Sequence, residues 1–229
     1  MHADRISAAE LRRARARRLQ GLYAVTPATP DTALLVAKVA AALDGGAAAV
    51  QYRSKELASA AREAQARALA RVLAARGGVY IVNDDPELAK AVGADGVHIG
   101  EDDASIGAAR ELLGPERLIG VSCYDDFARA ERAIADGADY VAFGSFFLSG
   151  TKPQVRRADV TLLSRARTLG VPVVAIGGIT AGNARFLIDA GADAVAVISD
   201  VFDHADSEDV RSAADALTRC FARGHGALT

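Results

Sequence analysis

The chain has only two cysteines in 229 residues. Cys123 and Cys220 are too few and too far apart to form a disulfide framework, and they lack zinc-ligand spacing. A reducing cytoplasm is the expected compartment. No apolar run approaches the ~20 residues that span a bilayer, because Lys38 and Asp44 interrupt the longest alanine-rich stretch. No membrane contact is expected. Basic charge is not in excess either: the formal net charge is -2, whereas nucleic-acid or membrane-surface binding favours a basic balance. Arg12, Arg13, Arg15, Arg17 and Arg18 have no apolar segment behind them, unlike a secretory signal. Asp4 and Glu10 argue against an organelle transit peptide. These arginines fit a solvated helix that Ser7 caps, with Glu10 three residues on completing a capping box. Small molecules are the expected partners, with no nucleic acid and no membrane. The number of subunits stays open, a homodimer being one option.

Two catalytic signatures are missing as well. The first apolar run leads into Val25-Thr26-Pro27-Ala28-Thr29-Pro30, not the glycine fingerprint of a dinucleotide fold. No glycine-flanked serine elbow supports a hydrolase triad. What is present is a composition that can bury a large core, 51% hydrophobic and 24% charged. Short β-prone runs recur eight times, at residues 22–26, 48–53, 79–83, 96–100, 118–123, 140–145, 172–177 and 194–199. Stretches with helical periodicity lie between them, and residues 210–222 supply an eighth helix. Glycine in the recurring phrases Gly93-Ala94-Asp95, Gly137-Ala138-Asp139 and Gly191-Ala192-Asp193 supplies the turn that closes a helix and enters the next strand. Eight strand-helix units without a linker predict a single (β/α)8 TIM barrel, an α/β fold, with a doubly wound open sheet as runner-up. Residues 1–20 are expected to be an N-terminal helical extension, 21–222 the barrel and 223–229 a tail.

Chemistry in such a barrel sits where strands end. The third and fourth runs end in acids, Asn83-Asp84-Asp85 and Glu101-Asp102-Asp103. They read either as solvated loop residues or as oxygen ligands for a hard cation such as magnesium. In the second run, Gln51, Arg53 and Lys55 are two apart and share a face. Buried basic groups there need an anion or the neighbouring acids. Only four of the 27 basic residues are lysines, and two of them, Lys55 and Lys152, fall at strand-end loops, where an ammonium suits phosphate. Lys38 and Lys90 read as ordinary surface residues. Carboxylates and cations together suit a magnesium-bound diphosphate. His98 reads as a packed, hydrogen-bonded residue and Cys123 as buried. Ser122 follows the fifth run, Ser149, Thr151 and Lys152 the sixth, and Gly177-Gly178 and Ile198-Ser199 the last two, a second anion site.

In this order, Gln51-x-Arg53-x-Lys55, Asn83-Asp84-Asp85, Asp95-Gly96-Val97-His98-Ile99-Gly100-x-x-Asp103, Gly120-Val121-Ser122, Thr151-Lys152, Gly177-Gly178-Ile179 and Ile198-Ser199 closely resemble the thiamine phosphate synthase family. The resemblance covers residues 22–221. It implies a TIM-barrel transferase that joins 4-amino-2-methyl-5-hydroxymethylpyrimidine diphosphate to a thiazole phosphate, giving thiamine phosphate and diphosphate. It assigns magnesium to Asp84 and Asp103. The pyrimidine diphosphate falls to Gln51, Arg53, Lys55, Asn83, Ser122 and Lys152, and the thiazole phosphate to Ser149, Thr151, Gly178, Ile198 and Ser199. Arg53, Lys55, Ser122 and Lys152 become the catalytic set, for a dissociative substitution that needs no nucleophile from the protein. Three departures stand out: Glu101 where the family usually has glutamine, Ser149 for a threonine, and Gly144-Ser145 for glycine-proline. The alternatives are a thiazole tautomerase-like isomerase, which needs neither diphosphate nor metal, and a non-catalytic phosphate-binding barrel.

Overall fold

A computed structural model describes residues 7–54, 56–101, 103–148 and 157–222. Eight parallel strands close on themselves in sequence order, with β1 hydrogen-bonded to both β2 and β8. They are β1 (Gly21–Val25), β2 (Ala49–Tyr52), β3 (Val79–Asn83), β4 (Gly96–Ile99), β5 (Leu118–Tyr124), β6 (Tyr140–Phe143), β7 (Val173–Ile176) and β8 (Ala194–Val197). The helices are α1 (Ala8–Ala16), α2 (Thr32–Asp44), α3 (Ser59–Arg76), α4 (Pro86–Val92), α5 (Ile106–Leu113), α6 (Phe127–Ala135), α7 (Thr161–Ala166), α8 (Ala184–Ala190), α9 (Ser199–Phe202) and α10 (Ser207–Arg219). The expected (β/α)8 barrel is therefore present. The short α9, which interrupts the last connection, escaped the periodicity because four residues make barely one turn.

Strand alternation divides the core in two. One face of each strand points into the barrel, where Tyr23, Val25, Ile81, Leu118, Tyr140, Val174 and Ala196 form an inner cluster. The other face, with Leu22, Val50, Val82, Val97, Val141 and Val195, packs beneath the helices. Strands apolar on both faces are the continuous runs seen in the sequence. Side-chain caps then fix where helices begin: Asp31, Asp85, Ser105, Asp126 and Asp206 each accept an N–H from the first turn of the helix they precede.

The N-terminal extension closes the bottom of the barrel. Ser7 and Glu10 form the expected capping box, and Ala16 and the fully buried Leu19 join the inner cluster. Arg12 pairs with Asp139 at 3.0 Å and Arg15 with Asp95 at 3.2 Å. Both acids belong to the repeated glycine-alanine-aspartate phrases. Asp95, Asp139 and Asp193 accept the N–H groups of Tyr80, Ile119 and Val173 at 2.9, 2.9 and 2.8 Å. Each repeat thus supplies a side-chain acceptor to the start of the preceding strand as well as a glycine turn. Lys38, read from sequence as a surface residue, instead donates to the carbonyls of Phe202 and His204 at 2.9 and 2.6 Å and ties α2 to the end of α9.

Candidate active site

At the opposite end of the barrel, the strand tips surround a cavity of about 420 Å³. Gln51, Arg53, Asn83, Asp84, Asp103, Ser122 and Ile198 all line it, so seven of the residues singled out from sequence converge there. Thr26, at the tip of β1, positions the basic member. Its N–H donates to the Gln51 carbonyl at 2.9 Å, and its Oγ1 accepts the Arg53 N–H at 2.9 Å. This fully buried threonine had no chemical signal in the sequence, since its role depends on a neighbouring strand.

The paired acids separate. Asp84 adopts a left-handed backbone, φ 62°, uncommon for a residue with a side chain. Its N–H donates to the His98 carbonyl at 2.8 Å, and the Asp85 N–H donates to the Asn83 carbonyl at 2.8 Å. The chain reverses there and sends successive carboxylates different ways. Asp84 lines the cavity. Asp85 caps α4 through the Leu88 N–H at 2.8 Å and pairs with Arg62 at 2.6 Å. On the next strand tip, an Asp103 carboxylate oxygen accepts the Gly100 N–H at 2.6 Å. Glu101 lies 3.7 Å from the guanidinium of Arg129 with its side chain 67% exposed. That arginine also donates to the Ser122 carbonyl at 2.8 Å and lies over the Tyr124 ring. Glu101 therefore has a cation beside it.

Inside the cavity, polar side chains run across the barrel. Gln51 Nε2 donates to the Tyr23 hydroxyl at 2.9 Å, which meets the Tyr140 hydroxyl at 2.9 Å. Tyr140 meets His98 Nδ1 at 3.1 Å, and His98 Nε2 meets Ser122 Oγ at 2.9 Å. His98 is packed and hydrogen-bonded, as expected. Burial holds its imidazole down at about 4, with the Asp103 charge pulling the other way, so it is neutral near pH 7. Burial likewise pushes the phenols of Tyr23 and Tyr140 well above the usual tyrosine range. Gly120 is what admits the Tyr140 ring: a Cβ there would lie 2.0 Å from Cζ. Cys123 is buried and its thiol is pushed up to about 12, which leaves it unreactive.

A second cavity, about 430 Å³, adjoins the first and shares Ile176, Gly177, Ala196 and Ile198 with it. Gly178 and Ser199 line it. Gly177 and Gly178 have φ of 107° and 62°, and a Cβ on either would collide with the loop after β6, at Ser145 and at the Leu148 carbonyl. Glycine is thus required twice over. Lys55, Ser149, Thr151 and Lys152 lie outside the described residues.

Among the described residues, no cluster of three or more His, Cys, Asp or Glu side chains is arranged to hold a metal. Two aspartates on one cavity wall nonetheless fit magnesium, which takes one or two protein carboxylates and completes its shell with water and substrate phosphate. None of the described helices is long and apolar enough to cross a membrane.

Comparison with known proteins shows what the whole chain is similar to. A family model described as thiamine monophosphate synthase matches residues 22–201. The thiamine-phosphate synthase of Thiobacillus denitrificans is 58% identical over 203 residues, covering 88% of this chain and 95% of that protein. That of Chromobacterium violaceum is 52% identical, covering 89% and 97%. Among solved structures, a thiamine phosphate pyrophosphorylase from Pyrococcus furiosus superposes with a TM-score of 0.78 at 35% identity, covering 90% of this chain and 96% of that one.

Proposed function

The chain belongs to the thiamine monophosphate synthase family, and from that premise we propose how its strand tips make thiamine phosphate. It is a transferase of thiamine biosynthesis. We infer that the first cavity takes the pyrimidine diphosphate, on Gln51, Arg53, Lys55, Asn83, Ser122 and Lys152. The second takes the thiazole phosphate, on Ser149, Thr151, Gly178, Ile198 and Ser199. The observation that carries this reading is the shared wall. A cavity with Arg53, Asp84 and Asp103 opens beside one lined by Gly178 and Ser199, so donor and acceptor can meet across Ile198. Both volumes fall within the range of small-molecule sites.

The reaction exchanges one bond for another. The bond from the pyrimidine methylene carbon to the diphosphate oxygen breaks, its electron pair leaving with diphosphate. The thiazole nitrogen then donates its lone pair to the methylene cation. No proton moves, so neither a nucleophile nor a general base is required of the protein. The residues act by charge and position: Arg53, Lys55 and Lys152 balance the charge on the departing diphosphate, and Ser122 donates a hydrogen bond. Asp84 and Asp103 would hold magnesium, which when bound supplies further charge neutralisation at the diphosphate. The paired-cysteine chemistry of oxidising compartments has no counterpart in the free Cys123 and Cys220, which supports a cytoplasmic setting.

The test is to incubate the purified protein with both substrates and magnesium and to follow thiamine phosphate and diphosphate. Equal amounts of the two products are expected. Isomerisation of the thiazole phosphate without joining would replace this reading with a tautomerase, and binding without turnover would replace it with a phosphate-binding barrel.

A further inference from the structure

Five side chains from five elements form one hydrogen-bonded line through the barrel, from Gln51 through Tyr23, Tyr140 and His98 to Ser122. Its first four members are 8% exposed or less. Each hydroxyl has one proton to give, and an imidazole that accepts at one ring nitrogen carries its N–H on the other. A line of this kind has only two fully satisfied senses. In one, every proton points from Gln51 toward Ser122. In the other, every proton points back, and the glutamine must turn its oxygen to Tyr23. With the amide nitrogen of Gln51 toward Tyr23 at 2.9 Å, the line runs in the first sense.

We propose that this line is a polarity relay: it holds His98 as the Nε2–H tautomer, so that Nε2 donates to Ser122 Oγ and the serine hydroxyl proton is left to point into the cavity as a donor. His98, Tyr140 and Tyr23 are then positioning residues for the reaction, not catalytic ones. Each step follows from the previous. Gln51 donates to Tyr23, Tyr23 donates to Tyr140, and Tyr140 donates to His98 Nδ1, which must therefore be the unprotonated nitrogen. Its Nε2–H occupies one lone pair of Ser122, and the O–H has nowhere favoured to go but the cavity. The sense matters because an anionic ligand requires a donor. Reversed, the line would turn serine lone pairs toward the charge on a leaving diphosphate. Gly120 belongs to the device as the space into which the Tyr140 phenol fits. The assignment of Ser122 to the diphosphate-bearing substrate rests on the function proposed above. The tautomer does not.

The test separates these two. Nitrogen-15 NMR of the full chain with labelled histidine reads the tautomer without any substrate. A pyrrole-like Nε2 and a pyridine-like Nδ1 are expected for His98, and the opposite pattern overturns the proposal. Gln51→Glu offers Tyr23 only acceptors when ionised, so it should switch His98 to the Nδ1–H form. A folded Gln51→Glu protein with an ionised carboxylate and an unswitched histidine shows that the five groups are not coupled. In the kinetic arm, Tyr140→Phe should lower kcat about tenfold, the size of one charge-assisted hydrogen bond, with a smaller change in KM. The double variant Tyr140→Phe, Ser122→Ala should be no slower than Ser122→Ala alone, whereas losses that multiply would mean that Tyr140 does not act through the serine. If the unaltered protein forms no thiamine phosphate, the functional reading fails while the NMR result still decides the relay.

Discussion

The two ends of the barrel both carry acids and put them to different uses. At the closed end, Asp95, Asp139 and Asp193 are engaged by strand N–H groups, and Asp139 also takes Arg12 and Arg110 at 3.0 and 2.6 Å. At the open end, Asp84 and Asp103 line a cavity that also holds Arg53. Composition does not separate these sets. The first follows Gly-Ala and precedes a strand; the second follows a strand. In a parallel barrel, that difference in order puts a carboxylate at opposite ends of the molecule. One set locks the chain's turns and its N-terminal cover, and the other faces the cavity.

The contrast can be broken by exchanging the consequences of substitution. Asp84→Ala or Asp103→Ala should lower magnesium-stimulated turnover at least about a hundredfold, with the thermal unfolding midpoint little changed; an unchanged rate refutes the metal assignment. Leu19→Ala should do the reverse, costing about 3 kcal/mol in denaturant unfolding by opening a cavity under the barrel, while activity per folded molecule is kept. Asp139→Ala should cost about 2 kcal/mol, because it leaves the Ile119 N–H without its acceptor and removes the carboxylate that Arg12 and Arg110 share in a partly buried setting. Loss of turnover without loss of stability there would erase the distinction between the ends. The smallest effect is expected from Glu101→Gln, because the side chain is 67% exposed and already beside Arg129. An exposed pair of this kind contributes about 0 to 1 kcal/mol, so kcat and KM should move within about fivefold.

Much of this was legible in the sequence because it is local. Eight apolar runs with glycine turns between them specify the alternation, and two-residue periodicity puts Gln51 and Arg53 on one face. The capping box at Ser7 needs four residues to be seen. What escaped is what distant strands supply. Tyr23 and Tyr140 are 117 positions apart, and each alone is only an aromatic in a strand. Gly120 stood only as part of a motif, and nothing nearby named the phenol that it admits. Thr26 has a role only because β2 lies beside it. The aspartates of the repeated phrase were visible but had no role assigned, since the N–H groups that donate to them begin the preceding strand. The plug formed by Leu19 was hidden in the same way, its contacts being the bottoms of strands that close the barrel only in three dimensions.

The most direct measurement of the contrast is calorimetric titration of magnesium into the protein saturated with the pyrimidine diphosphate, made on the unaltered chain, Asp84→Ala and Asp139→Ala. The unaltered chain and Asp139→Ala should bind the ion with similar affinity, and Asp84→Ala should show little or no binding. Equal binding by Asp84→Ala, or its loss in a folded Asp139→Ala, would contradict the division of labour between the two ends.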